Sequence, residues 1–291
     1  MVFRVRRVPA ADLKASLQSD WVDATRKPFV NGDSAFVPEK ENYSSGGVLP
    51  PRKPYQGRGY HMIGHIAVVR GRKPSAEELG ELVSWQKPRG VLWIKSLNGD
   101  ERVPDTELLY GTAGDVIHRE QGFMYLLDPS KVMFSQGNRL EKVRMATSVR
   151  PGETVADMFA GIGYFSIPMA CAGAFVHAME INPVAYYYLV ANSGLNHVET
   201  RLNPECGDCR SLLKGEYDRI VLGHFNSLAV LPDALVHVHT GSELHIHSSG
   251  KVPPDISDMV HAAGYMPVIN VRVVKKTGPG YWHFVQDVVL R

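Results

Sequence analysis

The segment Asp157-Met158-Phe159-Ala160-Gly161-Ile162-Gly163-Tyr164-Phe165 places an acid ahead of two closely spaced glycines. Glycine lets the backbone turn tightly and approach a ligand. Such a pair could cradle a nicotinamide dinucleotide, but two features point elsewhere. Ser166 stands where the third glycine of G-x-G-x-x-G belongs. Asp157 would repel a pyrophosphate. A nucleoside donor with a sulfonium and an ammonium tolerates that acid, so Asp157, Phe159, Ala160, Gly161 and Gly163 are assigned to donor binding. Glu180 lies 17 residues after Gly163. A carboxylate there accepts both ribose hydroxyls, and Ile181 follows it. Asp208 suits the adenine amino group, with Cys209 beside it. Taken singly, Glu180 would read as a helix-cap acid and Asp208 as a turn aspartate. Cys206 and Cys209 form C-x-x-C with no second pair and no His at ligand spacing, so no metal is expected.

These residues need a scaffold that delivers them to one place. Thr154–Phe159 reads as a buried strand, Ser166–Cys171 as a helix, Ala174–Met179 as a strand ending at Glu180, and 183–196 as a helix. Ile220–Leu222 and Leu244–His247 read as further strands, and 280–290 as a final one, with Trp282 in the core. Strands alternating with helices predict an α/β fold, a Rossmann-like doubly wound sheet. Before it, Ile63–Val69 is an apolar run broken by Gly64 and His65, Ser75 caps a helix, and Val91–Ile94 is a strand. Val116–Glu120 and Phe123–Leu127 flank Gln121-Gly122 as a hairpin. Leu140–Val149 reads as a helix with Leu140, Val143 and Met145 near one face. Residues 31–60 read as a long loop. The division expected is a smaller N-terminal α/β domain over 1–112 and a catalytic domain over 113–291.

Residues 1–150 carry 23 Lys and Arg against 17 Asp and Glu, whereas 151–291 carry 9 against 13. A basic half can neutralise phosphates while the other does chemistry. Arg4, Arg6, Arg7, Arg52, Lys53, Arg58, Arg70, Arg72, Lys73, Lys87 and Arg89, with Tyr55, Tyr60 and Trp85 among them, suit phosphate contacts and stacking of unpaired bases. No apolar run approaches the ~20 residues of a membrane span. The N-terminus lacks the apolar region of a signal peptide. Three cysteines point to a reducing cytoplasm.

Several blocks together resemble the tRNA wybutosine-synthesis aminocarboxypropyltransferases, sisters of the enzymes that methylate N1 of the guanosine beside the anticodon. They are Gly64-His65-Ile66-Ala67, Glu107-Leu108-Leu109-Tyr110-Gly111, His118-Arg119-Glu120, Phe134-Ser135-Gln136-Gly137-Asn138 with Glu141-Lys142-Val143-Arg144, the glycine segment through Pro168, and Gly278-Pro279-Gly280-Tyr281-Trp282-His283. They cover most of 61–291, whereas residues 1–60 match no family pattern. The resemblance implies the class I methyltransferase fold and S-adenosylmethionine as group donor. Ser135 and Lys142 would hold its amino-acid part or adenosine, and Glu180 its ribose. Lys142 can pair with a carboxylate, although most helix lysines are solvated. The implied acceptor is 4-demethylwyosine in tRNA, alkylated at carbon, with methylthioadenosine released; separately, the chain is expected to act as a monomer. After Ile220-Val221-Leu222 come Gly223-His224-Phe225-Asn226, without the proline motif that floors a methylated base. Carbon alkylation requires proton loss; His224, then Asp157, are the candidate bases, although position alone favours a strand-end histidine bonded to backbone. An N1-guanosine methyltransferase and a tRNA-binding protein with a vestigial pocket are the rival readings.

Overall fold

The computed structural model describes residues 4–40, 43, 47–48, 55–99 and 101–291. They form two units, Met1–Gly57 and Arg58–Arg291. In the first, β1 (Arg4–Pro9), β2 (Phe29–Asn31), β3 (Ser34–Pro38) and β4 (Gly47–Val48) form an antiparallel sheet in the order β2-β3-β1-β4, with the short helix α1 (Leu13–Ser16). The loop expected over 31–60 is therefore interrupted by strands. Ala35 and Val37 alternate into the interior, and Val37 packs with Trp21 and Val22. Flanking Gly, Asp and Pro masked so short an alternation. Arg52 and Lys53 lie outside the described residues.

The second unit opens with β5 (His61–Ile63), β6 (Ile66–Arg70), helix α2 (Ala76–Gln86), β7 (Gly90–Asn98) and β8 (Val103–Gly111). The break at Gly64 and His65 is the turn of the β5–β6 pair. Ser75 caps α2 through a reciprocal box: its hydroxyl accepts from the Glu78 amide at 3.2 Å, and the Glu78 carboxylate accepts from the Ser75 amide at 2.9 Å. Strands β9 (Val116–Glu120) and β10 (Phe123–Leu127) form the expected hairpin, with positive φ at both Gln121 and Gly122 as a primed turn requires.

Helix α3 (Arg139–Ser148) precedes the main sheet of β11 (Thr154–Asp157), β12 (Phe175–Glu180), β13 (Leu202–Cys206), β14 (Tyr217–Leu222), β15 (Val238–Gly250), β16 (Pro267–Gly278) and β17 (Tyr281–Leu290). Its order is β13-β12-β11-β14-β15-β17-β16. The first five strands are parallel, and β17 is antiparallel to both neighbours. The period of two along each strand divides the interior. Val155, Val176, Ala178 and Val221 face one core, with Met145 of α3, Ile167 of α4 (Ser166–Cys171) and Leu189 of α5 (Pro183–Leu195). Ala156, Met179, Ile220 and Leu222 face the other, with Cys209 of α6 (Cys209–Leu212), Leu231 of α7 (Leu231–Leu235) and Val260 of α8 (Ser257–Ala262). Helices on both faces of a largely parallel sheet make the fold doubly wound, as expected.

Three expectations change. Ile63, Ile66, Val68, Leu92 and Ile94 share the first core with Val155 and Val176, so a boundary at 112 would cut one core in two; the units divide at 57/58 instead. In α3, Leu140 is 83% exposed and Val143 is also exposed, while Glu141, Lys142 and Met145 are buried. Trp282 is 39% exposed near the start of β17, not core.

Candidate active site

The sheet grows one way from β11 and the other way from β14, so these neighbours form the topological switch point. In open α/β sheets ligands bind outside the strands' carboxyl ends at that place. Here the chain leaves β11 through the glycine segment, β12 through Glu180, β13 through Asp208 and β14 through Gly223. Gly161 has φ +58°, and a Cβ on it would lie 2.7 Å from the Tyr164 ring. The turn aims the Gly161 amide at Glu180, whose carboxylate accepts from it at 2.7 Å and from the Asn182 amide at 2.8 Å. Burial pushes the Glu180 pKa up, and the two amides oppose that shift. The second glycine serves packing. A Cβ on Gly163 would meet Ile167 at 2.6 Å, so its absence lets α4 seat against the turn.

A cavity of about 350 Å³ opens here, with Phe159, Gly161, Glu180, Ile181, Asp208, Cys209 and His224 in its wall. Ala160, Gly163 and Asp157 do not line it. Asp157 is fully buried; it accepts from the Ser166 hydroxyl at 2.6 Å and the Phe159 amide at 3.4 Å. Burial raises its carboxyl to about 6. The alternation of β11 sends this side chain inward, where it braces the loop, behind the cavity wall that the expected donor and base roles would have it face. Asp208 caps α6 by accepting from the Arg210 amide at 3.0 Å, and its bond with the Arg210 side chain lowers its pKa. Cys209 is buried, which pushes its thiol up to about 11, and Cys206 is exposed. His224 stacks on Phe159 with ring centroids 5.4 Å apart. Its Nδ1 accepts from the Asn226 amide at 3.2 Å, so that nitrogen is occupied as the backbone-bonded alternative anticipates.

A second cavity of about 400 Å³ shares Arg102, Met133, Phe159, Tyr164 and Gly223 with the first and is lined further by Ser135, Lys142, Lys275, Phe225 and His283. Ser135 and Lys142 thus meet one cavity while Glu180 meets the other. Lys142 is no solvated lysine: it is 1% exposed. Its ammonium bonds Glu120 at 2.6 Å and lies 4.3 Å from the Phe134 ring centroid and 5.0 Å from that of Tyr164. Arg139 holds the other Glu120 oxygen at 2.9 Å. Burial lowers the Lys142 pKa and Glu120 opposes it. His283 shares a 2.9 Å hydrogen bond with His247, and burial, then Lys275 and Arg102, lower its pKa to about 4.

Arg102, Met133, Tyr164 and Lys275 join the site without having been singled out. Tyr164 was legible inside the glycine segment, where its hydroxyl donates to the Met133 carbonyl. Arg102 and Lys275 carry no local signal, since the β7–β8 turn and β16 deliver them from distant sequence. Of the basic residues proposed for RNA, Arg72 pairs with Glu78 and Lys73 with Glu107 at 2.5 Å. Arg6 pairs with Glu39 at 2.6 Å in the other unit. Among the described residues, no helix is long and apolar enough to cross a membrane, and no group of three or more His, Cys, Asp or Glu could hold a metal ion.

The TRM5/TYW2 methyltransferase domain model matches residues 116–260. A curated relative from Methanocaldococcus jannaschii, a tRNA(Phe) (4-demethylwyosine(37)-C(7)) aminocarboxypropyltransferase, is 34% identical over 245 residues, 79% of this chain and 97% of the relative. The chain belongs to the TRM5/TYW2 family. A second relative of that description, from Pyrococcus horikoshii, is 38% identical over 210 residues, 68% of this chain and 75% of its own. A crystal structure of P. horikoshii TYW2 in complex with MeSAdo superimposes with a TM-score of 0.69 at 31% identity, covering 81% of this chain and 92% of that one. In this TRM5/TYW2 member the strand order and the crevice at its switch point are those of a class I methyltransferase fold. The chain after β14 runs Gly223-His224-Phe225-Asn226 into a short turn of helix at Ser227–Ala229, with no proline in it.

Proposed function

We propose that this chain transfers the 3-amino-3-carboxypropyl group of S-adenosylmethionine to C7 of 4-demethylwyosine at position 37 of tRNA(Phe), releasing methylthioadenosine. The carrying observation is the pair of joined cavities: a nucleoside cavity holding Glu180, and a cation-lined one holding Ser135 and Lys142. Phe159, Ile181 and Asp208 would surround the adenine, and Glu180 would accept the ribose hydroxyls. The amino-acid part of the donor would then run into the second cavity. Of the three carbons activated by the sulfonium, the side-chain Cγ is the one this direction offers to an acceptor, and reaction follows whichever carbon is in line.

In the transfer the Cγ–S bond breaks, its electron pair goes to sulfur, and a bond forms from Cγ to the ring carbon, which loses a proton. Lys142 is held by Glu120 and three aromatic rings. Its charge is thus placed before the donor carboxylate arrives, so little ordering remains to be done on binding. The same reading takes the chain as a monomer working on tRNA in the cytoplasm, the compartment supported by the few cysteines.

The test is incubation with S-adenosylmethionine and tRNA bearing 4-demethylwyosine, read by mass spectrometry. Methylthioadenosine together with a nucleoside heavier by one aminocarboxypropyl group is the expected result. S-adenosylhomocysteine with a methylated guanosine would replace this reading by N1 methylation. No donor binding by calorimetry would leave a tRNA-binding protein with a vestigial pocket.

A further inference from the structure

Three cations from three separate elements converge beside the second cavity. Arg70 ends β6, Arg102 lies in the β7–β8 turn, and Lys275 comes from β16. Together they line a third cavity of about 290 Å³, whose wall also includes Ser135, Gly137 and His61 and contains no Asp or Glu. None of the three cations forms an ion pair among the described residues. The Lys275 ammonium bonds the Asn138 amide oxygen at 2.8 Å, and the Arg102 guanidinium lies 5.6 Å from the Phe225 ring centroid. Arg58 donates to the Arg70 carbonyl at 2.5 Å and fixes that end of β6. Elsewhere on the same unit, exposed cations such as Arg72 and Lys73 have found carboxylates.

Gathering three like charges without an acid is unfavourable unless an anion completes the set. Desolvation weighs on all three, and like-charge repulsion adds to it at Arg102 and Lys275. Burial lowers the Arg70 pKa; burial and then Arg70 lower that of Arg102; burial, then Arg102 and Arg70, lower that of Lys275.

We propose that Arg70, Arg102 and Lys275 form a binding site for backbone phosphate of the RNA strand, adjoining the nucleotide whose base enters the second cavity. The inference rests on the aminocarboxypropyl-transfer reading only for the identity of that nucleotide. The third cavity shares Arg102, Met133, Ser135 and Lys275 with the second; Arg102 and Met133 also line the first, but none of Glu180, Gly161 or Asp208 lines the third. The donor carboxylate is already assigned to Lys142, which lines the second cavity and not the third. A phosphodiester brings negative charge with no attached cation, and arginine meets it with paired donors. The site would act as a clamp: with the phosphate fixed, the attached base is left to unstack and enter the neighbouring cavity.

The test uses the full chain and a fluorescent anticodon stem-loop RNA, with affinity followed as salt is raised. Arg70→Gln and Lys275→Gln are each expected to lower the slope of log Kd on log salt by about 0.7, the share of one single-strand phosphate. Arg70→Lys restores the slope, and Arg70→Gln leaves S-adenosylmethionine affinity unchanged by calorimetry. With a methylphosphonate at the clamped linkage, wild type and Arg70→Gln bind RNA equally. An unchanged slope in both glutamine variants overturns the proposal. So does weakened S-adenosylmethionine binding with methylthioadenosine binding kept, which makes the cluster a donor-carboxylate site. Failure of the transfer reading is separate, since wild-type enzyme would then release no methylthioadenosine whatever the slopes show.

Discussion

Replacing Glu180 with Gln tests the donor site at the atom level. Each carboxylate oxygen already accepts one backbone amide, from Gly161 at 2.7 Å and Asn182 at 2.8 Å. Each keeps a second lone pair for a ribose hydroxyl. A glutamine keeps one oxygen and turns an NH2 toward one of those amides, donor against donor. One ribose bond is lost outright and the other changes from charge-assisted to neutral. With charge-assisted bonds worth about 1.5–3 kcal/mol and neutral ones about 0.5–1.5, the loss is about 2.5–4.5 kcal/mol of donor affinity. That is a rise in Kd of about 60- to 1600-fold. Calorimetry with S-adenosylmethionine and with methylthioadenosine checks it. Both ligands carry the ribose, so both must weaken alike in Glu180→Gln. Lys142→Met, by contrast, must weaken only the ligand that has a carboxylate. Unfolding temperature, followed in parallel, registers the unpaired backbone amide. If both ligands bind within about twofold of wild type while only the unfolding temperature falls, Glu180 merely braces Gly161 and the ribose assignment is wrong.

The carboxyl of Asp157, raised by burial from 3.8 to about 6, makes stability pH-dependent with a definite sign. Its contribution is complete below about pH 4 and is lost as pH rises through about 6, an effect on the order of 3 kcal/mol. Urea unfolding across that window should show wild type losing stability relative to Asp157→Asn, and parallel curves would refute the burial argument. Lys142→Met leaves the Glu120 carboxylate buried with Arg139 alone, and should cost about 2–4 kcal/mol in denaturant unfolding. Glu120→Gln/Lys142→Met should cost less than the two single changes combined, and strict additivity would deny the pair. Gly161→Ala forces a side chain into a positive-φ turn against the Tyr164 ring, and should destabilise by about 1–3 kcal/mol and weaken donor binding. Unchanged calorimetry in that variant would show that the turn does not shape the cavity.

Much of the scaffold was legible because its signals are local. A strand followed by two close glycines, a carboxylate after the next strand, the Ser75 capping box and the Gln121-Gly122 hairpin depend on neighbouring residues and on periods of two and 3.6. These suffice for an alternating α/β chain, for the glycine turn after β11 and for the place of Glu180 at the end of β12. Tertiary structure decided what depends on residues far apart in sequence. It placed Asp157 behind the wall, because strand alternation at a switch point sends that side chain inward. It made Lys142 a buried cation, because Glu120 of β9 and three aromatic rings surround it. It joined β5–β8 to the catalytic core, moving the boundary from 112 to 57. It gathered Arg70, Arg102 and Lys275 about one cavity although they are scattered along the chain. A charge's neighbours are set by how sheets pack, and no spacing along a single segment encodes that.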